Sequence, residues 1–536
     1  MLRGRESSVR WRRGSGNMGK ELVLSIDVGT TNCKAVVFDL FGNVVHCESK
    51  ATEIICDRLG PGWVEMDITH VWDAICEIAR KVLAMAVEAT DRIACVSLTT
   101  LRQSILPIDC NFEPLRYVIP WCVKGTSMQT DWVRKNIGEE AIYRITGLTI
   151  DPEWVLPSIL YIRDKEKEVF SQTYKFLEVQ DYLAHKLGVD GFVTDYSQAS
   201  CLSIFDIVKM QWSDTILDKI SLGPEMLPSL VPPGECVGRI SSQASESTGI
   251  PEGCPIILAG ADSQCSALGC GVVAAGKANV VIGTSAVAMA YAEKPLFDPE
   301  RRLVTHPHCY GGKFIIDHQT LTGGVAYKWY RDEFCRSEVA EAKSKGTSAY
   351  EQLNWGICRS PPGANGVLFL PHFVGAASPY WNERARGVIL GLNLNSKRED
   401  IGRALIEGIA MEVQRGFEIM RTLGVDLTEV SISGGGCTAD SPWSRIQADI
   451  YGVPTRTLRT SETTALGAAI LGWNALKAWK SISEAASNMI RTECVVEPNV
   501  ENAAYYKSLM ELQELAYRSL ESGHVYDQLG LLRERG

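Results

Sequence analysis

The chain has 536 residues, 45% hydrophobic and 22% charged, with a net charge of −10. That length supports two or more domains with full cores. The acidic balance leaves no basic surplus for phosphates, which argues against a general nucleic-acid binder, and no apolar run is long enough for a bilayer-spanning helix. Its 17 cysteines are odd in number, scattered and without a C-x-x-C pair. Neither a disulfide framework nor a zinc site follows, and reduced, mostly buried thiols in a cytoplasmic compartment are expected.

Residues 1–20 are Arg-rich with one acid, Glu6, and lack the apolar core of a secretory signal. They read as a disordered extension ahead of a start at Met18; a transit peptide or an RNA-touching arm are the alternatives. Leu22 to Asp39 reads LVLSIDVGTTNCKAVVFD. Two apolar runs flank a tight Gly29-Thr30-Thr31-Asn32 turn, with Asp27 at its mouth, which predicts a β-hairpin. Backbone N–H groups and hydroxyls in such a turn can cradle phosphate, and the acid can hold hydrated Mg²⁺. An ordinary hairpin using Gly and Asp only for the turn fits equally well at this point.

Asn43 to Lys50 predicts a third strand, and Ile68 to Thr90 a helix with Val71, Ile75, Ile78, Val82 and Met85 at helical spacing. Arg92 to Thr100 is β-like and runs into the polar cluster Thr99, Thr100, Arg102, Gln103, the usual place for ligand residues in an open α/β sheet. Residues 125–250 are helical and loop-rich, with Trp132, Trp154 and Trp212, and a Pro/Gly break at Pro251 to Pro255 closes the first domain. Three further apolar strands then end in small or acidic turns. Ile256 to Ala259 leads to Asp262, Ala278 to Ile282 leads to Gly283-Thr284-Ser285, and Val430 to Ser433 leads to Gly434-Gly435-Gly436. Two facing α/β domains with a cleft between them are expected. The boundaries are an extension at 1–20, domains at 21–253 and 254–500, and a helical tail at 501–536.

These residues resemble the FGGY carbohydrate kinases, whose fold is a pair of actin/Hsp70-like (ribonuclease H-like) ATPase domains. The resemblance runs from about Glu21 to Gly472. It is carried by Asp27 to Asn32, Pro61-Gly-Trp-Val-Glu65, Gly387 to Leu392 with Asp400, Ala404 and Glu407, and Ser433 to Gly436 with Trp443 and Asp449. Each piece alone is weak; together, in the right order, they are strong. The resemblance implies Asp262 as general base toward a substrate hydroxyl, with a helix N-cap as its structural alternative. It implies phosphate contacts at Gly29, Thr30, Thr31, Asn32, Gly283 and Thr284, and nucleotide approach at Gly435 and Gly436. Asp27 would hold Mg²⁺ through water, and ATP would be the donor.

For the acceptor, the resemblance points to Arg102, Gln103, Trp121 and Asp262. Here the chain departs from glycerol kinases, which carry Arg-Glu where this chain has Arg102-Gln103. They also have Asp and Arg after the tryptophan matched by Trp121 and a Tyr at Glu153, and the Lys expected in the first family signature falls on Ser158. Xylulokinases carry Met-His at the Arg102-Gln103 location, and autoinducer-2 kinases an Arg. Glu153, after Pro152, reads as a solvated loop acid with substrate contact as the alternative. Trp154 reads as a core or cleft-wall aromatic. His306, His308 and His372 lack ligand spacing with acids or thiols, so no metal site is assigned to them.

The expectation is an ATP- and Mg²⁺-dependent kinase acting on a small sugar or polyol, without nucleic-acid or membrane partners. A homodimer is among the assemblies the resemblance allows. Two other readings stand beside it: a nucleotide-binding regulator with an altered acceptor site, and an actin/Hsp70-type ATPase working through partners.

Overall fold

The computed structural model describes residues 21–85, 92–434 and 441–533. The opening apolar runs form an antiparallel hairpin of β1 (Leu22–Val28) and β2 (Asn32–Asp39), with Asp27 opposite Lys34. Strand β3 (Val44–Ala51) pairs antiparallel with β2. Helix α1 (Ile68–Met85) buries Val71, Ile75, Ile78 and Val82, the stripe its spacing predicts. Met85, expected on that stripe, is instead exposed as the helix's last residue. Residues 86–90 of the expected helix lie outside the described residues. Strand β4 (Ile93–Thr100) is buried throughout and adds parallel to β1, as a strand covered on both faces should.

Strands β5 (Cys236–Arg239) and β6 (Pro255–Ala261) complete a six-stranded sheet in the order β5-β6-β4-β1-β2-β3. This corrects the boundary expected at 253. Strand β6 pairs parallel with β4, Ile257 opposite Ser97 and Ala261 opposite Thr100, so it finishes the first sheet instead of opening the second. Its buried apolar residues are satisfied by a parallel neighbour more than a hundred residues upstream, beyond the reach of any local pattern. Between β4 and β5 the chain builds a helical subdomain from Ser127–Asn136, Glu139–Thr146 and Val155–Lys165, with its own core around Ile105, Val133, Leu156 and Phe176.

Helix α2 (Asp262–Gly269) follows β6 directly. The second sheet then begins with another hairpin, β7 (Lys277–Ile282) and β8 (Ala286–Ala292), followed by β9 (Val304–Pro307) and β10 (Phe314–Thr320). Helices α3 (Gly324–Phe334) and α4 (Arg398–Thr422) lead to β11 (Glu429–Ser433). Later elements include α5 (Pro442–Tyr451), β12 (Thr455–Leu458), α6 (Thr463–Ala475), β13 (Thr492–Val496) and α7 (Val500–Ser522). Seven strands lie in the order β9-β10-β8-β7-β11-β12-β13. The central five repeat the first sheet's plan. Three antiparallel strands followed by two parallel ones run β3-β2-β1-β4-β6 in one sheet and β10-β8-β7-β11-β12 in the other.

Helix α6 ties the two halves together. It packs across β1, β4 and β6 of the first sheet and against α2. The approach is close because both helices present glycine. A Cβ on Gly467 would run into the Cys265 backbone, and one on Gly269 into the Thr463 carbonyl. Just before α6, Glu462 Oε2 receives a 2.6 Å bond from Lys34 Nζ on β2, which fixes the end of this helix beside the first hairpin.

Candidate functional site

Parallel strands β1, β4 and β6 end at one level, because Asp27 lies opposite Thr99 and Thr100 lies opposite Ala261. Asp27 and Asp262 therefore sit at the same sheet edge, two strands apart, or about 10 Å between backbones. Each is half-buried there. Burial first, then the Asp262 charge, push the Asp27 carboxyl up to about 7, against the pull of Lys34. A buried acid held so far above its usual range is one that a divalent cation would return to the ionised state, so Asp27 fits a hydrated Mg²⁺. The turn beside it is rigid. Gly29 N–H donates to the Asn32 carbonyl at 2.9 Å, Thr52 Oγ1 to the Gly29 carbonyl at 3.0 Å and Thr52 N–H to the Thr31 carbonyl at 2.9 Å. Trp121, half-buried, donates its indole N–H to Thr30 Oγ1 at 2.9 Å, so it braces this turn.

Asp262 opens α2 as its first residue, and the N-cap position is held by Ala261. The N-cap reading is thereby corrected. The carboxylate instead accepts the Ser263 N–H at 2.6 Å and the Ser263 hydroxyl at 3.1 Å. Burial raises the Asp262 carboxyl above the usual range, and the Arg102 guanidinium works against that rise. Arg102 follows β4 and is itself buried, with Nη2 on Asp317 Oδ2 at 2.9 Å. That bond spans the two domains, since Asp317 lies on β10. Gln103 has a left-handed backbone, φ 62°, which turns the chain beneath Arg102. Arg102 Nη1, Gln103 Nε2 and Asp317 Oδ1 are buried atoms with no hydrogen-bond partner.

Glu153 is 5% exposed and accepts a 2.7 Å bond from Gln319 Nε2, also on β10. The solvated-acid reading is corrected. Burial, then Asp151, push the Glu153 carboxyl up to about 8, while Lys124 and Arg102 pull it down. Trp154 is a core residue against Leu148 and Val304, and Ser158 is buried within its helix. Of the three histidines, His306 accepts or donates a 3.2 Å bond with Ser200 Oγ, His308 bonds the Val272 carbonyl at 2.8 Å and His372 lies 3.9 Å from Glu412. They have separate partners and do not converge.

The second hairpin mirrors the first. In its Gly283-Thr284-Ser285 turn, Gly283 N–H donates to the Ser285 carbonyl at 2.9 Å. Gly324 and Gly323 N–H groups then donate back to the carbonyls of Gly283 at 2.7 Å and Thr284 at 2.8 Å, so the start of α3 is clamped onto the turn. A cavity of about 350 Å³ opens there, lined by Gly283, Thr284, Gly324, Tyr327, Lys328 and Trp443 among others. Gly434, at φ 113°, passes against the Ile282 backbone where a Cβ would collide. Gly435 and Gly436 lie outside the described residues.

The two halves match the FGGY family of carbohydrate kinases, its N-terminal domain over residues 22–269 and its C-terminal domain over 278–476. This chain belongs to that family. The FGGY N-terminal match runs past β6 to the last residue of α2, in keeping with the sheet membership described above. Similar proteins include a xylulose kinase of Bacillus subtilis, 28% identical over 92% of this chain and 96% of that protein. A glycerol kinase 2 of Thermotoga maritima is 31% identical over 93% of this chain and 98% of its own length. The solved structure of a ligand-bound xylulose kinase from Lactobacillus acidophilus superposes with a TM-score of 0.86 at 24% identity, covering 95% and 99% of the two chains. The fold is accordingly the paired actin/Hsp70-like ATPase fold. The activity class is phosphoryl transfer from ATP to an alcohol group of a carbohydrate.

Several residues at this FGGY site were not legible beforehand. Asp317 and Gln319 alternate on β10 and meet Arg102 and Glu153 from the opposite domain. Nothing local marks them. Gly323 and Gly324 had a usable signal, since Thr320-Leu-Thr-Gly-Gly324 is one more apolar strand ending in a hydroxyl and glycine turn.

Proposed function

We propose that this FGGY kinase phosphorylates a hydroxyl of a small sugar or polyol, with Asp262 as the general base and the acceptor held by Arg102, Gln103, Glu153 and Asp262. The reading is carried by one observation: Asp262 stands at the shared strand edge with Asp27 and faces Arg102, which is anchored on the other domain through Asp317. Burial makes Asp262 a stronger base than a solvated aspartate, while Arg102 keeps it ionised. A hydroxyl lying on that carboxylate can lose its proton as the O–P bond forms.

The turns at Thr30-Thr31 and Gly283-Thr284 offer backbone N–H groups and hydroxyls to the phosphates. The cavity between Thr284, Tyr327, Lys328 and Trp443 is suited to the rest of the nucleotide. Mg²⁺ held near Asp27 would neutralise phosphate charge. Cross-domain contacts at Arg102 and Glu153 favour closure around the acceptor, which keeps water from taking its place. Relatives bear the names xylulose kinase, gluconokinase and glycerol kinase, so kinship does not select between neutral and acidic acceptors.

The test is ADP release with ATP and Mg²⁺ over glycerol, ketopentoses, pentitols, hexoses and autoinducer-2. Turnover with one acceptor and its loss in Asp262→Asn is expected. An Asp262→Asn variant with unchanged turnover would refute the general base.

A further inference from the structure

We propose that the acceptor pocket selects an uncharged polyol or sugar and rejects aldonates, chains of the same size that end in a carboxylate. The inference rests on the kinase reading above, which makes these residues the acceptor site. Its ground is the arrangement of charge and unpaired polar atoms around Arg102.

Among the described residues the buried cations are Arg102, Arg403 and Arg415, together with Arg116, whose side chain is buried and taken by Glu65 at 2.8 Å. Arg403 is taken by Glu407 at 2.6 Å, and Arg415 by Glu514 at 2.8 Å in the second domain. Only Arg102 stands at the cleft, and its charge is already answered. Asp317 Oδ2 bonds it at 2.9 Å, and Asp262 faces it closely enough that each alters the other's titration. Lys34 is bonded to Glu462 at 2.6 Å, and His306 is held neutral by burial and by Arg102 itself. Lys124 is exposed, so its charge is largely solvated where it faces Glu153. A substrate carboxylate would be a third anion on one guanidinium, in a site with little water to screen it.

The unpaired atoms point the same way. Arg102 Nη1 and Gln103 Nε2 are donors without acceptors, and Asp317 Oδ1 is an acceptor without a donor, all buried. Glu153, kept protonated through neutral pH by burial, supplies a further donor. A hydroxyl both donates and accepts, so a row of hydroxyls can satisfy donors and carboxylates together. A carboxylate only accepts, and would leave Asp317 Oδ1 and Asp262 facing it with nothing between them.

The full-length protein should be titrated calorimetrically, and assayed for ADP release, with glycerol, xylitol, D-xylulose, D-ribulose and D-glucose against D-gluconate and D-xylonate. A neutral compound is expected to exceed both aldonates by about 100-fold in kcat/KM, since like charges juxtaposed in a binding site are strongly disfavoured. Asp317→Asn, which removes one anion and frees Arg102, should narrow that ratio by about tenfold or more. If that variant fails to fold, the wild-type ratio decides alone. An aldonate within tenfold of the best neutral compound, in turnover or in affinity, overturns the inference, as does the absence of any neutral binder. Neutral compounds that bind without ADP release, with aldonates excluded, would remove the kinase reading and leave the charge selection standing.

Discussion

At the scale of single residues, the two acids that matter most differ in how they announce themselves. Asp262 ends an apolar strand in a sequence that resembles a family motif, and the fold puts it at the shared sheet edge beside Asp27. Replacing it with Asn keeps the shape and the Ser263 contacts while removing the proton acceptor. We expect kcat to fall by about 10²–10⁴-fold with KM little changed, as read from steady-state kinetics with the best acceptor. Glu153 carries no such signal. An acid after proline looks solvated, and its partner Gln319 lies 166 residues away on another domain's strand. Its burial has a consequence for stability. The folded state holds the proton up to about 8, whereas the unfolded chain releases it in the ordinary glutamate range. Across that window the native state binds more protons than the unfolded one, so stability falls as pH rises, by at most about 1.4 kcal/mol per pH unit. The groups facing Glu153 are Asp151, Lys124, Arg102 and Gln319, and Glu153→Gln leaves all four in place. The variant should lose this part of the decline between pH 5 and 8 in urea melts. Parallel slopes for variant and wild type would show that Glu153 ionises normally.

At the scale of elements, hairpins were legible and long-range strand pairings were not. Apolar run, Gly/Thr turn, apolar run encodes both β1–β2 and β7–β8 locally, because the turn chemistry and both apolar runs lie within twenty residues. Strand β6 has the same local grammar as β7, and only its pairing with β4 shows which sheet it completes. The small-residue helix α6 was visible as a packing surface, but not its partner. The structure pairs it with α2, which carries Asp262 at its start, so the position of the proposed base depends on a glycine contact. Adding one methyl at Gly467 would force α6 off the Cys265 backbone. Gly467→Ala should cost about 1–3 kcal/mol in denaturant unfolding and, by tilting α2, reduce kcat in the molecules that remain folded. Gly530→Ala, inside the helix Val525–Arg533 where a Cβ meets open space, serves as the control and should lower neither quantity.

At the scale of the whole molecule, the long helix near the C-terminus proves to be part of the second domain's core, although residues 501–536 read as a tail. Helix α7 buries Tyr506, Met510, Gln513 and Tyr517. The Tyr506 hydroxyl donates to Glu407 Oε1 at 2.6 Å and accepts from Arg403 Nη2 at 2.9 Å. Gln513 bridges the Phe369 carbonyl, 3.1 Å from its Nε2, and Arg415, 2.8 Å from its Oε1. Asp449 anchors the start of the helix by accepting from Asn499 N–H and Asn502 Nδ2, both at 2.8 Å. That explains the acid in the Trp443–Asp449 segment as a structural tie. The amphipathic pattern of α7 gave no hint of this, because two of its buried groups, the Tyr506 hydroxyl and the Gln513 amide, are polar and paired with charges on α4. Those charges make the docking costly to undo, since a buried Arg or Glu stripped of one partner must be desolvated without compensation. Tyr506→Phe should therefore lower unfolding stability by about 1–3 kcal/mol while kcat and KM stay at wild-type values, because the hydroxyl touches nothing at the cleft. Truncation before Val500 removes all of these contacts except the Asn499–Asp449 bond and exposes the α4 face. The truncated chain should fail to give a cooperative melt at any temperature, and a truncated protein that melts like the full one would return residues 501–536 to the status of a tail.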